Sequence, residues 1–403
     1  VRAVDPDSWD SYLSEVIAQG GEGLAFLVER KNSPTRDRLR AELEAKFPGM
    51  IWSEYEPLCT SETEKAVAAC FSPGTRLIPK FERADIVLAL DSEFFSSSEK
   101  GVGFSACFFP RRNPDQKGAP MNRLYVVENH FTGAGGLADH RYRCKASLIG
   151  EFTRQLGQRI ATKTGNASLA ALLGAAPVSP AEFDEKWITE CADDLLAHPG
   201  RSIVTVGGQQ PAWVQALGFG INEALENHGA TILGATTGEI PAGTINDLTT
   251  AISAGKVKTL FILGGNPAYN APAELGFSAL LGQVQDVVRL GLFADETSKL
   301  SRWQVPAAHY LESWSDVRSY DGTYTPVQPM ILPLWNGISE LDILAQLAGR
   351  PKLTGPELVQ ETFANLHGGD EEAWNTFLKN GFQPESAWPE APLVFRAAQA
   401  AKV

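Results

Sequence analysis

Short apolar runs alternate with amphipathic stretches along most of the chain. GLAFLVE (23–29), MIWSEYEP (50–57), ADIVLALDSEF (84–94) and NRLYVVEN (122–129) each carry a near-continuous apolar segment. Strands covered on both faces read this way, as they do in parallel sheets. Helices are expected between them. In the first, Asp7 and Ser8 precede Trp9, Leu13, Val16 and Ile17 at helical spacing. In SPTRDRLRAELEAKFPG (33–49), Ser33 caps, Pro34 sits in the first turn and Gly49 ends the helix. Residues 60–71 open with acidic side chains, which suits a helix N-terminus, and 146–165 form the next helix. Residues 96–120, rich in Ser, Gly, Arg, Asn and Pro, interrupt the alternation and read as a long loop.

A second, similar pattern follows a helical stretch at 180–197. RSIVTVGG (201–208), KTLFILGG (258–265) and DVVRLGLFAD (286–295) read as buried strands, and VPAAHYLES (305–313) as a last strand-like stretch. Helices are expected at 211–229, 244–254, 272–284 and 295–303. The fold class expected is α/β, with two Rossmann-like lobes, mostly parallel sheets and a helical C-terminal tail. In domain terms, 1–165 is a first α/β lobe, 166–200 a helical bridge, 201–350 a second α/β lobe, and 351–403 a helical or irregular tail packed on the outside.

Composition narrows the function. The chain has 403 residues, 43% of them hydrophobic, which is ample for a core. Net charge is −13, from 48 acidic and 35 basic side chains, with no Lys/Arg cluster. Such a surface disfavours nucleic acid and anionic lipid. No apolar run approaches the ~20 residues that span a bilayer. Cys59, Cys70, Cys107, Cys144 and Cys191 show no cluster-like spacing, so neither an iron–sulfur cluster nor a structural zinc is expected here. The first residue is Val1, and a trimmed or mature form is the expectation.

Ligands of a parallel sheet sit at the carboxyl ends of its strands. Four loops qualify: LDSEF, ENHFTGAGG, GGNPAYN and ADETS. Gly264 and Gly265 let a backbone approach a ligand, Asn266 offers donor and acceptor, and Pro267 stiffens the exit. Glu296 and Thr297 open a helix where a carboxylate could accept hydrogen bonds from a purine. The bland alternatives are turn chemistry for Gly-Gly-Asn-Pro and helix capping for Asp-Glu-Thr-Ser. GAGG (133–136) lacks the spacing of a phosphate loop and reads as a mobile turn. GxSxG, HExxH and HxH are absent from the sequence. His130 and His140 flank GAGG and are the most suggestive histidines, and Asp91 with Glu93 could do acid–base work. Of Trp213, Trp303, Trp314 and Trp335, most are expected to pack inside, with some left for a docking patch.

The motifs in order resemble the molybdopterin oxidoreductase superfamily. ADIVLALDSEFF followed by NRLYVVENHFTGAGGLADHRYR, then KTLFILGGNPAYNAP, LFADETSKLSRWQVPAAHYLES and SYDGTYTPVQPMILP, match its landmarks over about residues 20–350. The variants are closest to the molybdopterin-oxidoreductase-like domain of the large periplasmic iron–sulfur subunit of alternative complex III. The resemblance implies a domain beside a ferredoxin-like iron–sulfur domain, in a membrane-associated respiratory assembly that oxidises quinol. It implies a periplasmic location, held to the membrane through partner subunits, after removal of a twin-arginine leader.

The departures are as informative. Active members carry a cysteine motif for a [4Fe–4S] cluster and a protein ligand to the metal, and neither has a counterpart here. The family's basic Asp-Pro-Arg is Glu128-Asn129-His130, and LDSEF puts Asp91 and Glu93 where a small neutral turn is usual. Carboxylates in the path of a pyrophosphate repel it. The expectation is therefore a scaffold domain without a cofactor or catalysis of its own. Gly264, Gly265, Asn266, Pro267, Glu296 and Thr297 would then be vestigial pterin-dinucleotide loops, with any iron–sulfur clusters outside this chain. One alternative is an active enzyme holding molybdenum or tungsten on a bis-pterin guanine dinucleotide. Another is a binding module using the cleft between lobes for a small ligand.

Overall fold

The apolar runs do form strands buried on both faces, and their pairing sorts the chain into two units. The computed structural model describes residues 6–58, 61–96, 101–113, 115, 121–238, 241–351 and 353–403. In chain order the strands are β1 (Leu24–Val28), β2 (Ile51–Glu54), β3 (Thr75–Pro79), β4 (Ile86–Leu90), β5 (Arg123–Glu128), β6 (His140–Arg143), β7 (Ser202–Val206), β8 (Ile232–Thr236), β9 (Gly243–Thr244), β10 (Thr259–Leu263), β11 (Asp286–Gly291), β12 (Trp303–Pro306), β13 (Ser315–Arg318), β14 (Tyr324–Val327) and β15 (Glu390–Ala391).

Unit 1 comprises Val1–Cys59 and Glu239–Ala387. Its sheet has the order β12-β11-β10-β1-β2-β9, parallel throughout. Side chains alternate across it, as the two-residue period of a strand requires. Phe26, Phe261 and Val288 meet Leu39 and Leu43 of helix Pro34–Lys46 on one face. Ala25, Leu27 and Ile262 meet Leu248 and Ile252 of helix Ile245–Ser253 on the other. Both faces are covered, which is why these runs read as unbroken apolar segments. An antiparallel hairpin, β13–β14, is tied to this unit by Asp316. That buried carboxylate accepts hydrogen bonds from the Ser33 hydroxyl, the Thr35 amide and hydroxyl, and the Tyr324 hydroxyl.

Unit 2 comprises Thr60–Gly238 and Trp388–Val403. It holds a parallel sheet, β6-β5-β4-β7, and a smaller antiparallel sheet, β15-β8-β3. Val87, Ala89, Val126 and Ile203 pack with Phe152, Leu156 and Ile160 of helix Ile149–Thr164 and with Leu217 and Ile221 of helix Ala212–Ala224.

The architecture is the expected one, but the division of the chain is not. In place of tandem lobes at 1–165 and 201–350, β1 and β2 share a sheet with β10–β12, and β7 joins β4. A hydrophobic run specifies that a strand exists; it does not specify its neighbour. The stretch 166–200 is no bridge either, since Leu169, Leu172, Ile188 and Cys191 belong to the core of unit 2. Within 351–403, helices Gly355–His367 and Glu371–Asn380 place Leu358, Val359, Phe363 and Phe377 in the core of unit 1. They are structural parts of that core and no external tail.

Other differences are local. Residues 101–112, expected in a loop, form helix Gly101–Phe108 and a 3-10 turn, while 97–100, 114 and 116–120 lie outside the described residues. GAGG is the short helix Gly133–Leu137, with Thr132 accepting from the Gly135 amide as its cap. The strand expected at 305–313 ends at Pro306. Among the described residues, no helix is long and apolar enough to cross a membrane.

Candidate functional site

In unit 1 the chain runs from β1 to β2 and β9 on one side, then returns to place β10, β11 and β12 on the other. The point of reversal lies between β1 and β10. In an open parallel sheet, the crevice outside the carboxyl ends at this point is where a ligand is received. The six candidate residues gather beside it, on the loops after β10 and β11. Gly264 and Gly265 both have positive φ, 89° and 65°, a turn that disfavours a side chain. Asn266 Oδ1 accepts from the Thr297 amide (3.2 Å) and hydroxyl (2.7 Å), and its Nδ2 donates to Glu296 Oε2 (2.7 Å). Pro267 is buried at the first turn of a short helix, and the next amide, Ala268, donates to the Thr297 hydroxyl.

Arg289 holds these loops together, and sequence reasoning missed it. It lies in β11, 3% exposed. Its guanidinium donates to the carbonyls of Gly264, Gly265 and Leu290 and to Asp295 Oδ2. Gly291 is required beside it, because a Cβ there would lie 2.8 Å from the guanidinium carbon. Burial works to raise the Asp295 carboxyl, and hydrogen bonds from Arg289 and Ser298 outweigh it, so the group stays below its ordinary range. The hydrogen bond from Asn266 likewise lowers Glu296. A signal existed: DVVRLGLF puts one charge inside an apolar strand.

Beside this point lies the half-buried Glu29, the residue after β1. A Cβ on Gly264 would lie 2.4 Å from Glu29 Oε2, so the carboxylate rests directly on the first glycine of the turn.

Unit 2 repeats the arrangement with different side chains. Here β4, β5 and β6 run one way and β7 returns to the other side of β4, so the reversal lies between β4 and β7. Asp91, just after β4, is 5% exposed and has a φ of 51°, uncommon for a residue with a side chain. Gln210 Nε2 donates to its carboxylate (2.7 Å), and Gln209 Nε2 to its carbonyl (2.6 Å). Gln215 Nε2 donates to the Gly207 carbonyl, and a Cβ on Gly207 would lie 1.9 Å from the Asp91 carbonyl oxygen. The loops after β4 and β7 are in direct contact, and their crevice is closed.

The GAGG turn is closed as well. Glu93 Oε2 accepts from the Ala134 amide (2.8 Å), and Glu128 accepts from the Thr132 hydroxyl (2.6 Å) and from Arg141 (2.5 Å). A Cβ on Gly135 would lie 1.9 Å from Glu128 Oε1. These carboxylates are ligated by the chain's own donors, so acid–base chemistry by Asp91 and Glu93 finds no support in the geometry. His130 and His140 do not form a pair. β5 and β6 are parallel with His140 opposite Tyr125, which leaves the two imidazoles at opposite ends of the strands. His140 stacks on Tyr125, and His130 bonds Asn129. Trp213, Trp303 and Trp314 pack against the cores, while Trp335 is 83% exposed.

The fold has relatives of known structure. Acetylene hydratase from Pelobacter acetylenicus aligns over 96% of this chain with a TM-score of 0.68 at 12% identity. The present chain spans 63% of that protein's length. One chain of the formyltransferase/hydrolase complex from Methylorubrum extorquens, solved with methylofuran, aligns over 89% of this chain and 97% of its own length, with a TM-score of 0.52 at 14% identity. No family model matches the sequence, and no curated protein does. At these identities the likeness is one of fold. The chain thus shares an α/β fold with acetylene hydratase, and its mostly parallel sheets accord with the fold class expected from the sequence.

Tested against the dinucleotide that the sequence resemblance implies, the residues fit at one end only. Asn266, Glu296 and Thr297 keep the donor and acceptor types that suit a purine edge, although they bond one another here. At the pyrophosphate end, Glu29 in unit 1 and Asp91 in unit 2 present carboxylates to a group that is itself anionic. The group as a whole does not fit.

Proposed function

We propose that this chain is a scaffold domain that keeps a molybdopterin-oxidoreductase-like fold without a pterin cofactor, within a respiratory complex that oxidises quinol. Its partners would be an iron–sulfur domain and neighbouring subunits, in the periplasm and attached to the membrane through them. The observation that carries the reading is the pair of carboxylates, Glu29 and Asp91, at the two crevices where this fold receives a ligand. A docking role is supported by the apolar surface of unit 1, where Tyr310, Met330, Leu332, Leu334 and Trp335 are each at least 64% exposed. The subunit assignment rests on the sequence motifs.

The competing reading, an active molybdenum or tungsten enzyme, is favoured by the intact Asn266–Glu296–Thr297 set. Metal and nucleotide content of the purified native protein decides between them. The scaffold reading expects no stoichiometric molybdenum or tungsten and no guanine nucleotide on acid release. Both present at one equivalent or more would establish the enzyme reading.

A further inference from the structure

We infer that Glu29 and Asp91 are internal plugs: each carboxylate fills the crevice of its own unit, holds the facing loop closed and keeps anionic ligands out. The inference rests on the scaffold reading and supplies its physical means. Each parallel sheet has one point where the strand order reverses, β1/β10 in unit 1 and β4/β7 in unit 2. Glu29 and Asp91 are each the first residue after the earlier strand of that pair. Both therefore sit where the loops of a doubly wound sheet part to receive a ligand.

Local geometry shows that the positions are filled. In unit 1, Glu29 Cδ and Oε2 lie 2.8 and 2.4 Å from where a Gly264 Cβ would be, so the carboxylate occupies the space that the glycine, required here by its positive φ, leaves open. In unit 2, the Asp91 backbone has the left-handed conformation that aims its side chain at Gln210. Gly207 must lack a Cβ for the two loops to touch. Glycines at the ends of such strands normally let a phosphate approach the backbone. Here the space they leave is used by the chain's own side chain and carbonyl. Two different residues, on two different sheets, reach the same result by different means: Asp91 through hydrogen bonds from Gln209 and Gln210, Glu29 through its contact with Gly264.

Hydrogen–deuterium exchange of the whole chain tests this, with inorganic pyrophosphate as the probe. In the wild type, millimolar pyrophosphate is expected to leave exchange at 264–268 and 207–210 unchanged. Glu29→Ala should speed exchange at 264–268 by about tenfold or more, and Asp91→Gly should do the same at 207–210, because local opening is no longer opposed. Glycine tolerates the positive φ at 91, so that variant removes the carboxylate without adding strain. Exchange in β10 and β7 should stay as in the wild type, which reports an intact fold. Unchanged loop exchange in both variants overturns the inference. So does protection of either loop by pyrophosphate in the wild type, a result independent of how the variants fold. A protein that contains molybdenum or tungsten with guanine nucleotide would overturn the scaffold reading too. A cofactor-free protein whose loops pyrophosphate still protects would overturn the plugs alone.

Discussion

Arg289 shows how much one side chain decides. Its guanidinium is buried and ties three carbonyls and Asp295 into one cluster. Arg289→Met keeps the length and apolar stem but strands the Asp295 carboxylate, which is itself 15% exposed, and the two glycine carbonyls. Removing one partner of a buried pair typically costs about 3–5 kcal/mol. Denaturant unfolding should show a loss of that size, together with faster amide exchange at Gly264–Ala268. A loss within about 0.5 kcal/mol, the range of an ordinary surface change, would show that the clamp is dispensable. The GGNP and DETS loops were legible in the sequence because glycine, proline and capping residues have strong local preferences. Arg289 and Glu29 were not, because their roles depend on a neighbouring strand.

At the scale of elements, Glu151 joins helix Ile149–Thr164 to the segment that follows it. Its carboxylate accepts from Arg154 (2.6 and 2.9 Å), Gln155 Nε2 (2.9 Å) and the Ser179 amide (3.1 Å). The Arg154 hydrogen bonds lead the other donors in pulling its pKa from 4.5 down to about 2 against the effect of burial. A carboxyl depressed in the folded state is charged there while the unfolded chain still binds a proton. Its stabilisation is therefore present above pH 4.5 and is lost as pH falls towards about 2. Glu151→Gln should cost about 1–3 kcal/mol at neutral pH. It should also flatten the acid limb of the stability curve in that window. An unchanged acid limb would count against this ion pair as its source. Helices with caps and amphipathic spacing were readable beforehand. Helix Gly101–Phe108 was not, because it is short, holds two glycines and lies in a stretch otherwise rich in turn residues, and its place is set by packing of Phe108 into the core of unit 2.

At the scale of the molecule, the chain crosses between units more than once, and its last segment returns to unit 2. There β15 pairs with β8, Leu393 packs on Gly234, and Phe395 meets Phe71 and His228. Truncation after Ala387 should destabilise unit 2 by about 3 kcal/mol or more, since two large apolar side chains lose their burial. Exchange should rise in β8 and helix Ala212–Ala224 while the core strands β1 and β10 keep their protection. Equal loss of protection in both units would mean that they unfold as one.

Local signals were sufficient for the α/β class, for most strands and helices, and for the glycine turns at the strand ends. Each depends on residues close together in sequence, whose periodicity and backbone preferences act before any tertiary contact forms. Strand order was beyond them. Parallel pairing joins segments far apart in the chain, and any buried apolar run is an acceptable neighbour for another. Only the folded structure placed β10 beside β1 and β7 beside β4. That placement set Glu29 on Gly264 and Asp91 against Gly207, and so turned two ordinary acidic residues into the features that close the crevices.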